Sequence, residues 1–156
     1  MHKKGRFQSA IALLIGAALL VPVGSIAAQK VNMTRLVDQI AKAQLRPPKF
    51  QRPLPPRSGT LEPGGEIDQS FGLTKGQGYA FVAVGDDNAK DVDLQLVDRN
   101  GEVVAEDNDE DKSAVVTFSP PQKARYYARV IMFDCEAEEC EYGIGVYKGK
   151  KNLQRR

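Results

Sequence analysis

Apolar and polar positions follow two different periods along the chain, and this change predicts a helix followed by strands. In residues 32–45 the apolar positions recur at the spacing of one helical face: Met33, Leu36, Val37, Ile40 and Ala41. Asn32 is suited to cap the helix, and Pro47-Pro48 forces it to end at or before Arg46. Because a helix of this length is marginal in water by itself, we expect it to dock on the domain that follows.

From Gly59 onward, short β-rich runs alternate with turn residues. Seven runs are recognisable, at residues 67–73, 79–84, 92–97, 103–105, 115–118, 126–133 and 142–147. Gly, Pro, Asn and Asp residues separate them, and Asn100-Gly101 is the clearest hairpin signal, for a loop of two residues or longer. Seven or eight short strands at this spacing predict an all-β antiparallel β-sandwich.

The N-terminus has the order of a signal peptide. Three basic residues precede an uncharged apolar run of 13 residues, and small residues follow up to Ala28. Pro22 and Gly24 break the run, which is shorter than the roughly 20 residues that span a bilayer. We expect residues 1–28 to be a signal peptide cleaved near Ala28 or Gln29. The mature protein is then periplasmic or secreted, with no stable membrane span.

Four further segments complete the predicted organisation. Residues 29–46 form the amphipathic helix, and residues 47–58 form a Pro/Arg-rich linker that favours extended, semi-rigid conformations. A basic arm that touches anionic envelope polymers or lipid head groups is the alternative for this linker. Residues 59–148 form the β-sandwich domain, and residues 149–156 form a basic tail.

Composition excludes several classes of function. Loss of the signal peptide leaves 19 Lys and Arg against 20 Asp and Glu, so the net charge changes from +2 to −1. It also removes His2, the only histidine, and the chain has no Trp. Without imidazole, Ser-His-Asp and Cys-His catalysis and histidine-dependent zinc or copper sites are excluded. With few aromatics to line a cleft, glycoside hydrolysis by paired carboxylates is not expected, and we predict no enzyme.

The two cysteines are predicted to form a disulfide. Cys135 and Cys140 both lie in the exported part of the chain, where oxidising conditions allow a bridge to persist. The four residues between them suit a bridge across the base of a short hairpin loop. Two thiols are too few soft ligands for a metal site.

Carboxylates are concentrated in residues 86–111, which contain eleven acidic and two basic residues. The net charge of these 26 residues is −9. Asp107, Asp109 and Asp111 alternate like the start of a calcium loop, and Asp91 or Asp93 is placed to help. Lys112 and Phe118 stand where an EF-hand needs Gly and Glu. A calcium site is therefore predicted, and the alternative is that these carboxylates keep loops soluble and prevent edge pairing of strands.

Residues 59–148 resemble the bacterial pre-peptidase C-terminal domain family. The resemblance rests on Gly65-Glu66-Ile67-Asp68 leading into Phe71, Lys75-Gly76 before Tyr79, Asp91-Val92-Asp93-Leu94 followed by Asn100-Gly101, then Asp107, Tyr126 and Tyr142. It implies a jelly-roll-like sandwich that is an accessory module of secreted proteins, and some members bind calcium or extracellular polymers. No peptidase accompanies the module in this chain, so a free-standing binder is expected.

Two functional hypotheses follow. The first is an exported, non-catalytic binding or structural module of the cell envelope, stabilised by calcium and associated with an envelope polymer or another exported protein. The second is an inhibitor of an exported hydrolase such as a lysozyme, because lysozymes are strongly basic and acidic loops would steer their encounter. Nucleic acid is not an expected partner, since it requires a basic face and the centre of this chain is acidic.

Overall fold

The fold is described for residues 32–45 and 50–149 by a computed structural model. The predicted signal peptide, and the predicted tail beyond its first residue, lie outside these ranges. The described chain has one helix and nine strands: α1 Met33–Gln44, β1 Phe50–Gln51, β2 Arg57–Leu61, β3 Glu66–Leu73, β4 Tyr79–Gly85, β5 Ala89–Val97, β6 Val103–Asp107, β7 Ser113–Phe118, β8 Ala124–Cys135 and β9 Cys140–Gly149. The predicted all-β sandwich with a preceding helix is confirmed.

The strands form two antiparallel sheets with jelly-roll connectivity. One sheet has the order β2-β9-β4-β7, and β1 also pairs with β9 on the same side as β2. The other sheet has the order β3-β8-β5-β6. From β2 onward, each connection crosses between the sheets except the β5–β6 hairpin. This alternation is the jelly-roll arrangement of two packed sheets.

Two of the nine strands lie where the sequence predicts a linker, in residues 47–58. β1 pairs with β9 through Phe50, and β2 pairs with β9 from Arg57 onward. Between them, Arg52 forms an ion pair with Asp38 of the helix at 3.0 Å. The described part of the segment is therefore held along the edge of a sheet and differs from the predicted spacer. The apolar pattern does not reveal these strands because the residues of both are exposed or only partly buried.

Side chains from the inner faces of both sheets form the main core. On β5, Val92, Leu94 and Leu96 are buried, whereas the residues between them are only partly buried, as alternation in a strand requires. Phe71 and Phe81 pack edge to face across the core with their ring centroids 5.5 Å apart. Such pairs stabilise the fold beyond the area they bury.

Helix α1 packs on the outer face of the sheet that contains β4 and β9, which we call the covered sheet. Val37 is fully buried there, in a second apolar cluster with Ala80, Val82 and Val84 of β4. Because the main core covers the other face of β4, all seven of its residues are buried. The sheet of β3, β8, β5 and β6 is called the uncovered sheet, since the main contacts of α1 are with β9, β4 and β2 of the other sheet.

Glycines on β9 provide the space that the helix needs. A Cβ atom on Gly143 would lie 2.6 Å from Val37 Cγ2, and one on Gly145 would lie 2.8 Å from Val37 Cγ1. Next to this contact, the Tyr147 hydroxyl donates a hydrogen bond of 2.9 Å to Asp38 Oδ1. Burial, followed by this hydrogen bond, raises the pKa of Tyr147 well above its usual range. The phenol therefore stays a donor at physiological pH and fixes the helix to β9.

Candidate functional site

Four loops meet at one end of the sandwich because the flanking strands are aligned in register. Gly85 pairs with Tyr142 in the covered sheet, and Ala89 pairs with Cys135 in the uncovered sheet. The loops are residues 62–65, 86–88, 108–112 and 136–139. They carry nine carboxylates and one lysine: Glu62, Asp86, Asp87, Asp109, Glu110, Asp111, Glu136, Glu138, Glu139 and Lys112. We call this set of loops the acidic end.

The opposite end of the sandwich has a different charge. Its loops, residues 74–78, 98–102 and 119–123, carry two acidic and three basic residues. Asp98 and Glu102 therefore lie far from the other carboxylates of the acidic segment 86–111. Hydrogen bonds from the backbone of Glu102 and Asn100 to Asp98 lower the pKa of its carboxyl and hold the hairpin turn. The acidic segment 86–111 is therefore divided between the two ends of the sandwich. Most of the negative charge of the loops lies at the acidic end.

One carboxylate of the acidic end has a structural role. Asp86 Oδ1 accepts hydrogen bonds from the backbone of Asn88 at 3.0 Å and Ala89 at 3.2 Å. Its Oδ2 accepts one from the backbone of Glu141 at 3.0 Å. Asp86 therefore joins the start of β5 to the start of β9 and keeps two acidic loops together.

The disulfide between Cys135 and Cys140 holds a third loop, and this prediction is confirmed. The detail of the hairpin is wrong, because β8 and β9 belong to different sheets and the bridge links the two sheets at the acidic end. In the chain-entropy account a loop this short contributes about 2 kcal/mol. The bridge keeps Glu136, Glu138 and Glu139 beside the other acidic loops.

The predicted calcium ligands occupy three different places in the structure. Asp91 and Asp93 lie on the outward side of β5, Asp107 ends β6, and Asp109 and Asp111 belong to the loop after it. Asp107 Oδ2 accepts a hydrogen bond of 2.7 Å from the backbone of Val115 on β7. That carboxylate therefore ties the edge of the uncovered sheet to the edge of the covered sheet.

Asp91 and Asp93 carry negative charge that has little compensation. Burial and then repulsion from Glu110 raise the pKa of Asp91, although a backbone hydrogen bond with Asp111 acts in the opposite direction. Burial and then repulsion from Asp91 raise the pKa of Asp93. Asp91 Oδ1 is buried and has no hydrogen-bond partner among the described residues. A positive group placed here would relieve the repulsion and supply the missing partner.

The predicted calcium site stays a prediction. Within residues 32–45 and 50–149, no group of three or more His, Cys, Asp or Glu side chains is placed to hold a metal ion. Asp91 and Asp93 fit a cation by charge and by the unpartnered oxygen. Asp107 pairs with the buried Leu94 and accepts its hydrogen bond from β7, so it lies on the inner side of β6 and not on the outward side that carries Asp91 and Asp93.

Thermal melts in calcium and in chelator test this site. If calcium binds the native state alone, a hundredfold excess over Kd stabilises the fold by about 2.7 kcal/mol, or about 10 °C in melting temperature. Asp109→Asn is expected to shrink that shift, and Glu102→Gln at the opposite end is expected to leave it unchanged. Melting curves that coincide in calcium and chelator would contradict the site and favour loops that are merely solvated.

Sequence reasoning missed the exposed aromatic residue beside the acidic end. The side chain of Phe133 on β8 is 65% exposed. It follows Met132, whose backbone exchanges hydrogen bonds with the turn at Gly64 and Gly65. Buried residues alternate along β8 from Tyr126 to Met132 and leave Phe133 on the outward side. The sequence does not show this, because residues 126–133 are apolar on both sides of the strand except at Arg129.

Comparisons with known proteins concern the fold alone. In the described ranges, no helix has the length and apolar character to cross a bilayer. No protein-family model and no curated protein matches the chain, so the resemblance to pre-peptidase C-terminal domains stays a prediction. The chain is similar in structure to PliG of Aeromonas hydrophila, a periplasmic lysozyme inhibitor of g-type lysozyme. That similarity has a TM-score of 0.46 at 10% identity, and covers 64% of this chain and 86% of PliG.

Proposed function

We propose that the mature protein is an exported, non-catalytic binding module whose partner is a basic exported protein. The observation that carries this proposal is the acidic end, where four loops bring together nine carboxylates and one lysine. The disulfide between the sheets supports export, because such bridges persist in oxidising compartments.

The charges of the acidic end are available to a partner. Glu138 and Glu139 are exposed at the tip of the β8–β9 loop, and Asp109 and Glu110 are exposed in the β6–β7 loop. Lys90 and Lys112 pair with Glu136 and Asp87, so the local cations compensate only a part of the charge. Concentrated charge of one sign raises the rate at which an oppositely charged protein associates.

A basic hydrolase such as a lysozyme is the partner class that the charge favours. Lysozymes are strongly basic, and a non-catalytic module that occupies one of them acts as an inhibitor. An envelope polymer is a weaker candidate for this end of the molecule, because anionic polymers and head groups are repelled by the acidic loops. The same repulsion opposes nucleic acid.

Capture from an envelope extract of the source cells tests the proposal. Immobilised mature protein, with calcium and with chelator, is expected to retain a basic protein in stoichiometric amount and to release it as salt rises. If the retained protein is a lysozyme, addition of this chain is expected to lower its lytic activity. Retention of polysaccharide alone, or a protein partner that high salt does not weaken, would contradict the proposal.

A further inference from the structure

The outer face of the uncovered sheet carries an apolar stripe along β8. Tyr127, Ile131 and Phe133 lie on the outward side of this strand, and Arg129 stands between Tyr127 and Ile131 on the same side. Tyr127 and Ile131 are partly buried, whereas Phe133 is 65% exposed. A large aromatic side chain that projects from a sheet is typical of residues that anchor protein interfaces.

Carboxylates flank this stripe on both sides. Residues directly opposite each other in a sheet share a face, so Glu66 of β3 and Asp93 of β5 lie on either side of Ile131. Arg129 lies in the next row and forms two hydrogen bonds with Asp68, at 2.9 and 3.1 Å. It also lies 3.7 Å from Glu66. Asp68 and Glu66 together compensate the positive charge of Arg129, so the net charge of this sheet face remains negative.

The negative charge without a partner lies on the β5 side of the stripe. No described basic side chain forms an ion pair with Asp91 or Asp93. Asp91 faces Asp134 across the β5–β8 pairing, one residue from Phe133. A lysine or arginine beside Phe133 would therefore meet two acidic side chains that have no described ion-pair partner, next to an apolar surface.

We propose that the outer face of the uncovered sheet docks a basic protein surface, with an apolar side chain on Phe133 and a lysine or arginine between Asp91 and Asp93. This inference rests on the proposed function and extends it, because it assigns the contact to a sheet face that adjoins the acidic end. The acidic loops steer the partner, and the β8 stripe supplies the area that holds it.

The arrangement of charge and apolar area selects a basic protein over the other occupants. A second copy of this face would bring Asp91, Asp93 and Glu66 against like charges. A calcium ion would satisfy the carboxylates but would leave Phe133 exposed. A protein surface with both cationic and apolar side chains fits both features at once.

A synthetic peptide of alternating lysine and leucine, observed by NMR on the full mature chain, tests this surface. We expect amide shifts at Tyr127, Ile131, Phe133 and Asp93, and none with a matched peptide of glutamate and leucine. Phe133→Ser is expected to weaken binding by about tenfold or more. Leu54→Ser is the matched control, because Leu54 is 48% exposed in the segment between β1 and β2, and we expect unchanged binding.

The outcomes separate this inference from the proposed function. Shifts confined to the loops 108–112 and 136–139, or equal affinity for Phe133→Ser and wild type, would overturn the docking face while leaving an acidic end that binds cations. Shifts on β8 combined with an envelope extract that yields no basic protein would overturn the proposed function alone. Because Phe133 is largely exposed, both Ser variants are expected to melt at the same temperature as wild type. Weaker binding by Phe133→Ser is then not caused by a loss of folding.

Discussion

Replacing Gly143 with alanine is expected to destabilise the protein by about 2 kcal/mol and to loosen helix α1. The new Cβ atom would lie 2.6 Å from Val37 Cγ2 and 3.1 Å from the backbone oxygen of Met33. Since the second contact is with backbone, the helix has to shift and cannot relieve the strain by rotating one side chain. For a domain of this size the melting temperature falls by roughly 8 °C.

A second substitution distinguishes this contact from a general effect on the sheet. Val37→Ala alone leaves a cavity and is expected to lower stability by about 2 kcal/mol. In the double variant, Val37→Ala removes the nearest atom that the new Cβ would meet and leaves the contact with Met33. The combined loss of stability is therefore expected to be about 1 kcal/mol smaller than the sum of the two single losses. Gly72→Ala is the control, because no atom lies within 4 Å of its added Cβ.

Thermal melts and limited proteolysis at Lys42 report on the helix. Gly143→Ala is expected to speed cleavage at Lys42, because a loosened helix opens more often than a docked one. Strict additivity of the two substitutions, or an unchanged rate of cleavage in Gly143→Ala, would contradict a helix held through Val37.

The docking of the helix was predictable only in part from the sequence. The spacing of Met33, Val37 and Ala41 indicates one apolar face, and Asn32 caps the helix with a side chain that accepts a hydrogen bond from the backbone of Arg35. Which surface receives that face depends on Gly143 and its neighbours more than 100 residues away. That pairing becomes visible only after β9 and β4 lie side by side.

The candidate site was predictable to a similar degree. A dense acidic segment is visible locally, but its Asp98 lies at the opposite end, and Asp86 and Asp107 accept backbone hydrogen bonds. Glu138 and Glu139 join the acidic end through the jelly-roll connectivity, which no local pattern contains. A strand can be predicted from the residues of its own segment, whereas the convergence of four loops depends on the order of all strands in the two sheets.

Reversing the charge of the β8–β9 loop is expected to slow association with a purified lysozyme. Glu138→Lys combined with Glu139→Lys changes four units of charge at the acidic end, and we expect the association rate constant to fall roughly thirtyfold at low salt. Dissociation is expected to change little, because these exposed charges steer the encounter. Surface plasmon resonance measures both rates.

Matched single variants show whether position or net charge is responsible. Glu138→Lys lies at the acidic end, and Glu102→Lys makes the same change at the opposite end. We expect roughly fivefold slower association for the first and less than a twofold change for the second. If both variants slow association equally, net charge alone determines the rate, and a role of the acidic end is contradicted.

The salt dependence of wild-type association with a purified lysozyme tests the central claim most directly, because exposed charges are screened within about 10 Å at 0.1 M salt. If the acidic end captures a basic hydrolase, the association rate constant is expected to fall at least about tenfold between 10 mM and 300 mM salt, while lytic activity is inhibited at low salt. No binding at low salt, or association that is independent of salt, would contradict the account.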